Sequence, residues 1–181
     1  MTPVRVGIVG AGFIAQFHLA MLKGGTAANQ VVAVHDADPA RAAALAEQAG
    51  AEVVGSVAEL CAAVDAVFVC TWTSEHHAVV AEAVAAGKAV FCEKPLATDL
   101  ATARALSDLL VGSGLTNQVG LVLRRSPAFC LARQLLDDPA SGRAMGVVLR
   151  DDQFLPVQGM YASDWRADPA LAGAGAVIEH S

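Results

Sequence analysis

The sequence predicts an α/β fold in which a doubly wound parallel sheet is followed by the beginning of a second, α+β domain. Three observations lead there. The chain opens on a β-branched run, a glycine-rich turn and a helix. Strand-like runs then alternate with helical ones through Gly120, joined by short loops. The run Ala66-Val67-Phe68-Val69-Cys70-Thr71 is apolar almost throughout, as a parallel strand covered on both faces should be.

Val4, Val6, Ile8 and Val9 make the first strand, and Gly10-Ala11-Gly12-Phe13-Ile14-Ala15 follows with the G-x-G-x-x-A spacing of a dinucleotide-binding turn. Gly10 permits the sharp turn, Gly12 lets backbone approach a pyrophosphate, and Ala15 lets helix and strand pack closely. Phosphate charge would sit at the amino end of the helix, which makes Gly10, Gly12, Phe13 and Ile14 cofactor-binding candidates. Apolar Phe13, Phe17, Ala20 and Met21 mark that helix. Thr26 to Gln30 is a polar connection into the second strand, Val31-Val32-Ala33-Val34-His35, which ends at Asp36. An acidic residue at this distance from the glycines hydrogen-bonds the adenosine ribose hydroxyls. Asp36 could instead be a loop carboxylate starting the next helix, but Asp38 before Pro39 fills that cap position better. With no arginine directly beside Asp36 the expected cofactor is NAD rather than NADP, although Arg41 lies near.

Pro39 to Ala49 reads as a helix closed by Gly50, Glu52 to Gly55 as a short third strand, and Ser56 as the cap of a helix through Ala63. The fourth strand ends at Thr71. The carboxyl ends of strands are where an open α/β sheet meets its ligands, so Thr71, Trp72 and His76 join the cofactor-binding candidates. Ser74 reads as the cap of a helix running to Ala86 and stopping at Gly87. His76 and His77 lie about 100° apart on such a helix and cannot chelate one metal together. Each is otherwise a surface histidine near a helix start. Lys88 to Cys92 is a fifth strand, Thr98 or Asp99 starts a helix through Leu110, and Leu115 to Gly120 is the sixth strand.

The pattern changes at Arg124-Arg125-Ser126-Pro127, which divides the chain into a nucleotide-binding domain, 1–122, and the start of another, 123–181. A helix over Ala128 to Leu136 and a strand over Ala144 to Arg150 precede irregular chain with Gly159, Tyr161, Trp165 and Arg166. The closing stretch from Gly173 looks like a loop entering a helix that has barely begun, as expected of a fragment or a truncated product.

A formal charge of −6 and a pI near 5.2 argue against nucleic acid or an anionic membrane as partner. Hydrophobic residues make up 55% and charged ones 17%, enough for an ample core. The uncharged run Val6 to Leu22 is broken by glycines, Gln16 and His18, and lacks a small-residue cleavage site, so it reads as neither leader nor membrane span. The cysteines, Cys61, Cys70, Cys92 and Cys130, form no C-x-x-C pair, which suits reduced thiols in a cytoplasmic protein with no zinc.

At Glu93-Lys94-Pro95 the sequence becomes specific. The opening turn, Thr71 and His76, Gly87-Lys88, this tripeptide, Gly120, Arg124-Arg125-Ser126-Pro127, Trp165-Arg166-Ala167-Asp168-Pro169 and Gly173-Ala174-Gly175 together resemble the Gfo/Idh/MocA (glucose-fructose oxidoreductase / inositol dehydrogenase) family, whose first domain is a Rossmann fold. The resemblance implies an NAD(P)-dependent oxidoreductase that moves a hydride between nicotinamide and a secondary hydroxyl of a sugar, cyclitol or related polyol. It places Lys94 between nicotinamide and substrate, with Glu93 and Pro95 holding the backbone against the ring and a cis bond often preceding the proline. An independent argument agrees: a hydroxyl losing hydride from its carbon must lose its proton, and a cation beside the oxygen stabilises the alkoxide. Lys94 is one of three lysines in the chain.

The family's G-G-G-x-x-x-D-x-x-x-H motif matches Gly173-Ala174-Gly175 with one replacement. Glu179 stands where the substrate-contacting aspartate is usual, and the histidine position falls two residues past Ser181. Glu179 is therefore a catalytic and substrate-binding candidate, and Arg166 and Asp168 are substrate-side candidates, with ordinary loop polarity as the competing reading. Trp72 replaces a common proline and would reshape the nicotinamide side of the pocket; Leu123 replaces a common asparagine. The resemblance also implies a homo-oligomeric full-length parent. Two other functions remain open: a nucleotide-binding protein, truncated or catalytically inactive, and an NAD-dependent glycosidase working through transient oxidation.

Overall fold

The computed structural model describes residues 2–148, 150 and 163–173. Strands β1 (Val4–Val9), β2 (Asn29–His35), β3 (Glu52–Val53), β4 (Ala66–Val69), β5 (Ala89–Cys92) and β6 (Asn117–Val119) form a parallel sheet in the order β3-β2-β1-β4-β5-β6. The order reverses between β1 and β4, where Val9 pairs with Val69 and Cys70 N donates to Val9 O at 2.7 Å. An open sheet splays its loops apart at such a switch point and leaves a crevice there.

Helices cover both faces. On one side α1 (Phe13–Gly24) and α2 (Pro39–Ala49) bury Ala15, Leu19, Leu45 and Ala46 against Ile8, Val31 and Val34. On the other, α3 (Val57–Ala63), α4 (His76–Ala85) and α5 (Leu100–Gly112) bury Leu60, Val80 and Leu106 against Val67, Val69 and Val90. Local chemistry sets their ends. Asp38 accepts from Ala40 N and Arg41 N to start α2, and Gly50, at φ +69°, ends it. Ser56 Oγ accepts from Glu59 N while Glu59 accepts from Gly55 N, a reciprocal capping pair on α3. Asp99 caps α5 through Thr102 N.

The structure settles one point the sequence left open, the buried face of α1, and departs from the sequence reading at others. Phe13, Phe17, Ala20 and Met21 lie on the outer face of α1, and the buried face is Ala15 and Leu19, flanked by Ile14, His18 and Leu22. Two apolar stripes compete on this helix, and the one with alanine at its centre wins because it can approach the sheet closely. Ser74 is not a helix cap: it sits inside a 3-10 turn, Thr73–Glu75, and α4 begins at His76 with no side-chain cap. No strand forms over 144–148 or at 150, and Met145, Val147 and Val148 are 85%, 84% and 98% exposed. A lone strand leaves its backbone groups without a partner and gains nothing over solvated chain. Past β6, α6 (Pro127–Asp137) buries none of its residues, and α7 (Pro169–Ala172) is a single turn. Gly159, Tyr161, Ala174, Gly175, Glu179 and His180 lie outside the described residues.

At the amino edge of β1, Arg5 and Asp65 join two neighbouring strands. The Arg5 guanidinium donates to Asp65 Oδ1 at 2.7 Å, and Arg5 N donates to Oδ2 at 2.9 Å. These bonds hold the Asp65 carboxyl at about 2, below the ordinary aspartate range. A depressed carboxyl contributes stability that is complete above its unfolded value and is lost as pH falls through the folded one. Asp65→Asn is therefore expected to flatten the loss of stability between about pH 4 and 2, measured by urea unfolding across that window.

Candidate functional site

The carboxyl ends of β1, β4 and β5 converge at the switch point, and each brings one loop of the candidate site. The β1 loop is the glycine turn. Gly10 has φ +90° and donates its N–H to His35 O at 2.8 Å. A Cβ on Gly10 would stand 2.6 Å from the carbonyl carbon and oxygen of Cys70, so two conditions demand glycine: the backbone angle and the passage under the end of β4. Gly12 meets neither condition. Its φ is −76°, and a Cβ there would meet nothing within 4 Å. It stands at the cap position of α1, no side chain caps the helix, and its first turn holds no acidic residue. That leaves the positive end of the helix dipole facing open space over a surface of bare backbone, the cradle a pyrophosphate needs. Phe13 and Ile14 form the first turn beneath it.

Asp36 closes this turn from the end of β2. Its Oδ2 accepts from Ala11 N at 2.6 Å and its Oδ1 from Asp38 N at 2.7 Å. Each carboxylate oxygen has a second lone-pair direction, so both can still accept a hydroxyl. Arg41 Nε lies 3.3 Å from Asp38 Oδ2 and 3.7 Å from Asp36 Oδ1, and its charge faces two carboxylates.

The β4 loop carries Thr71, Trp72 and His76. Thr71 Oγ1 is buried and has no hydrogen-bond partner among the described residues. A buried hydroxyl without a partner is costly, and Thr71 sits beside Gly10, so the polar atom it lacks fits a group bound at the glycine turn. Trp72 is 41% exposed at the start of the 3-10 turn. His76 is fully buried: Nδ1 lies 3.0 Å from Pro95 O and Nε2 3.3 Å from Thr71 O. It joins the β4 and β5 loops, and its burial corrects the reading of His76 as a surface histidine. Burial pushes its imidazole below the ordinary histidine range, against the backbone carbonyls that raise it. His77 is exposed.

The β5 loop is Glu93-Lys94-Pro95, with a cis bond between Lys94 and Pro95. Lys94 is half-buried, and its N–H donates to Glu93 Oε2 at 3.0 Å. Glu93 is itself buried and its Oε1 lies 2.7 Å from His18 Nε2. Sequence reasoning missed His18. The signal was available: at helical spacing it shares a stripe with Ile14 and Leu22, and a polar ring on an inward face needs a partner. The Cys70 and Cys92 thiols nearby are not nucleophiles at neutral pH. Burial, then Glu93, pushes Cys70 well above the ordinary thiol range and Cys92 to about 12.

The segment 163–173 returns to this end of the sheet. Asp168 Oδ1 accepts from Ala170 N and caps α7, which packs on the Thr73–Glu75 turn. A Cβ on Gly173 would stand 2.9 Å from Thr98 O, so the chain enters its last described residue against the loop that follows Pro95. Arg166 stacks its guanidinium over the Trp165 ring at 4.6 Å. Among the described residues no cluster of histidine, cysteine and carboxylate side chains could hold a metal, and no helix is long and apolar enough to cross a membrane.

Comparison with known proteins agrees with this geometry. Residues 4–121 match the Gfo/Idh/MocA family model, described as an oxidoreductase family with an NAD-binding Rossmann fold. An inositol 2-dehydrogenase of Rhizobium meliloti (strain 1021) is 37% identical over 157 residues, which are 85% of this chain and 47% of that protein. The crystal structure of GenD2 from gentamicin A biosynthesis, in complex with NAD, superposes with a TM-score of 0.79 at 28% identity, covering 98% of this chain and 50% of that one. Biliverdin reductase from Synechocystis sp. PCC 6803, solved with biliverdin and NADP+, superposes with a TM-score of 0.65 at 31% identity over 74% of this chain and 42% of that one. The chain spans about half the length of the relatives it matches.

Proposed function

This chain belongs to the Gfo/Idh/MocA oxidoreductase family, and from that premise we propose that the protein binds NAD at the glycine turn and moves a hydride between it and a secondary hydroxyl of a sugar, cyclitol or related polyol. Inositol 2-dehydrogenase relatives support that substrate class. The observation that carries the reading is the convergence at one switch point of the open Gly12 cradle, the Thr71 hydroxyl, without a partner among the described residues, and the Lys94 loop. The nicotinamide, when bound, supplies the hydride acceptor. This chain's residues do the rest. Gly10 and Gly12 admit the diphosphate, Asp36 accepts from the ribose hydroxyls, and Thr71, with Trp72 beside it, closes the nicotinamide side. The Lys94 ammonium faces the hydroxyl oxygen and stabilises the alkoxide as its proton passes to a base on the substrate side, the role that the family resemblance gives to the histidine of the motif beginning at Gly173. Arg166, Asp168 and Glu179 belong to the substrate side of this reading, and the boundary after residue 122 divides cofactor-binding from substrate-binding chain.

NAD is preferred to NADP on two grounds. Asp36 offers a carboxylate to the 2′ position, where a phosphate would be repelled, and Arg41 is already placed against Asp36 and Asp38. Fluorescence titration tests this: NADH is expected to bind at least about tenfold tighter than NADPH, and Asp36→Ala to weaken NADH by about ten- to a hundredfold while sparing NADPH. Tighter binding of NADPH would overturn the preference, and absence of binding by either would overturn the function.

A further inference from the structure

We propose that His18 and Glu93 are a positioning pair that ties α1, the helix behind the glycine turn, to the loop presenting Lys94. The inference takes from the proposed function only that Lys94 is the working group. His18 Nε2 and Glu93 Oε1 are 2.7 Å apart, with side chains 17% and 10% exposed, so water screens the contact little. Glu93 uses its other oxygen, Oε2, to accept the N–H of Lys94 itself at 3.0 Å. One carboxylate thus has one oxygen on the cofactor helix and the other on the backbone of the lysine. His18 lies five residues past Phe13, about 7.5 Å along the helix, so a shift of the phosphate-facing turn reaches Glu93 through a single rigid element.

The surroundings hold the pair in one geometry. A Cβ on Gly120 would sit 3.2 Å from both Glu93 oxygens and from Phe91 Cζ, so the backbone just past β6 walls the carboxylate on that side. The His18 ring stands edge-on to Phe91, centroids 4.8 Å apart, and to Phe68 at 5.5 Å, and these two phenylalanines stack on each other. Beyond the lysine, His76 Nδ1 lies 3.0 Å from Pro95 O. Lys94 is therefore flanked by two histidine-held points, one on each side in sequence. Stability alone does not explain a polar pair in this aromatic setting, because an apolar replacement of similar size usually serves a core as well or better. What the pair adds is a fixed direction for the backbone entering Lys94.

The test compares His18→Leu, which removes the ring nitrogen, with His18→Gln, whose amide can reach the same oxygen. Residue-resolved amide hydrogen exchange on the chain is expected to show Lys94 exchanging at least about tenfold faster in His18→Leu, with Val67 and Val69 keeping wild-type protection, and a return to within about threefold in His18→Gln. NADH affinity is expected to stay within about threefold in both, while polyol turnover falls about tenfold in His18→Leu and recovers in His18→Gln. Unchanged exchange at Lys94, a rise shared equally by β4, or failure of His18→Gln to restore protection would each overturn the inference. Should His18→Leu not fold, Glu93→Gln, which keeps the shape and removes the charge, is expected to speed exchange at Lys94 in the same local way, and unchanged exchange there overturns the proposal. A wild-type chain that binds no NADH overturns the proposed function, and the exchange comparison still decides the pair.

Discussion

Lys94→Ala is expected to lower hydride transfer by about 10²- to 10⁴-fold while NADH affinity stays within about threefold, read by single-turnover reduction of NAD with a polyol beside a fluorescence titration. The separation follows from where the charge acts. A secondary alcohol in the ground state is neutral and gains little from a neighbouring ammonium. As the hydroxyl proton leaves, the oxygen takes on alkoxide charge before hydride departure turns it into a carbonyl, and only then does the cation contribute fully, in a half-buried site that strengthens the interaction. In the proposed function the cofactor is held mainly by the turn at Gly10 to Ile14 and by Asp36, which this substitution leaves alone. Lys94→Arg keeps the charge but spreads it over a planar fork, and is expected to recover only part of the rate. Equal turnover in wild type and Lys94→Ala would remove Lys94 from the chemistry.

Gly10→Ala is expected to cost about 3–5 kcal/mol of folding stability, a large fraction of what a domain of this size has, and to abolish NADH binding. Part of the cost is placing an L-residue at φ +90°, and part is a Cβ driven to 2.6 Å from the backbone of Cys70, which cannot rotate away. Gly12→Ala is the control. Its φ is ordinary and its Cβ meets nothing within 4 Å, so stability should change by less than about 1 kcal/mol, while the methyl group occupies the surface a diphosphate approaches and weakens NADH at least about tenfold. Urea midpoints and NADH titration on the two variants check both. If the two behave alike, the division between folding glycine and binding glycine is wrong.

Much of this architecture was legible beforehand because it is written in local chemistry. The strand runs through Gly120, Asp38 before Pro39, Ser56 as the cap of the next helix, and Gly50 after Ala49 fix elements through contacts within a few residues, and these formed where expected. What failed, or was left open, involves choices settled at a distance. Which stripe of α1 is buried depends on how closely Ala15 lets the helix meet the sheet. Whether 144–150 forms a strand depends on a partner elsewhere, and none pairs with its described residues. His76 reads as surface histidine or ligand contact until the β5 loop is folded over it, whereupon its nitrogens face Thr71 O and Pro95 O.

The sequence by itself determined the parallel sheet, the dinucleotide turn with its acidic companion Asp36, and the Glu93-Lys94-Pro95 signature, because each rests on spacing along the chain and on residues with special backbone or charge. Only the tertiary structure decided that the backbone requires glycine at position 10 and not at 12, that Thr71 holds a buried hydroxyl with no partner among the described residues, and that His18 reaches Glu93 across 75 positions of sequence. Those facts concern distances between atoms brought together by the reversal of strand order at β1 and β4, and no periodicity along a single segment encodes them.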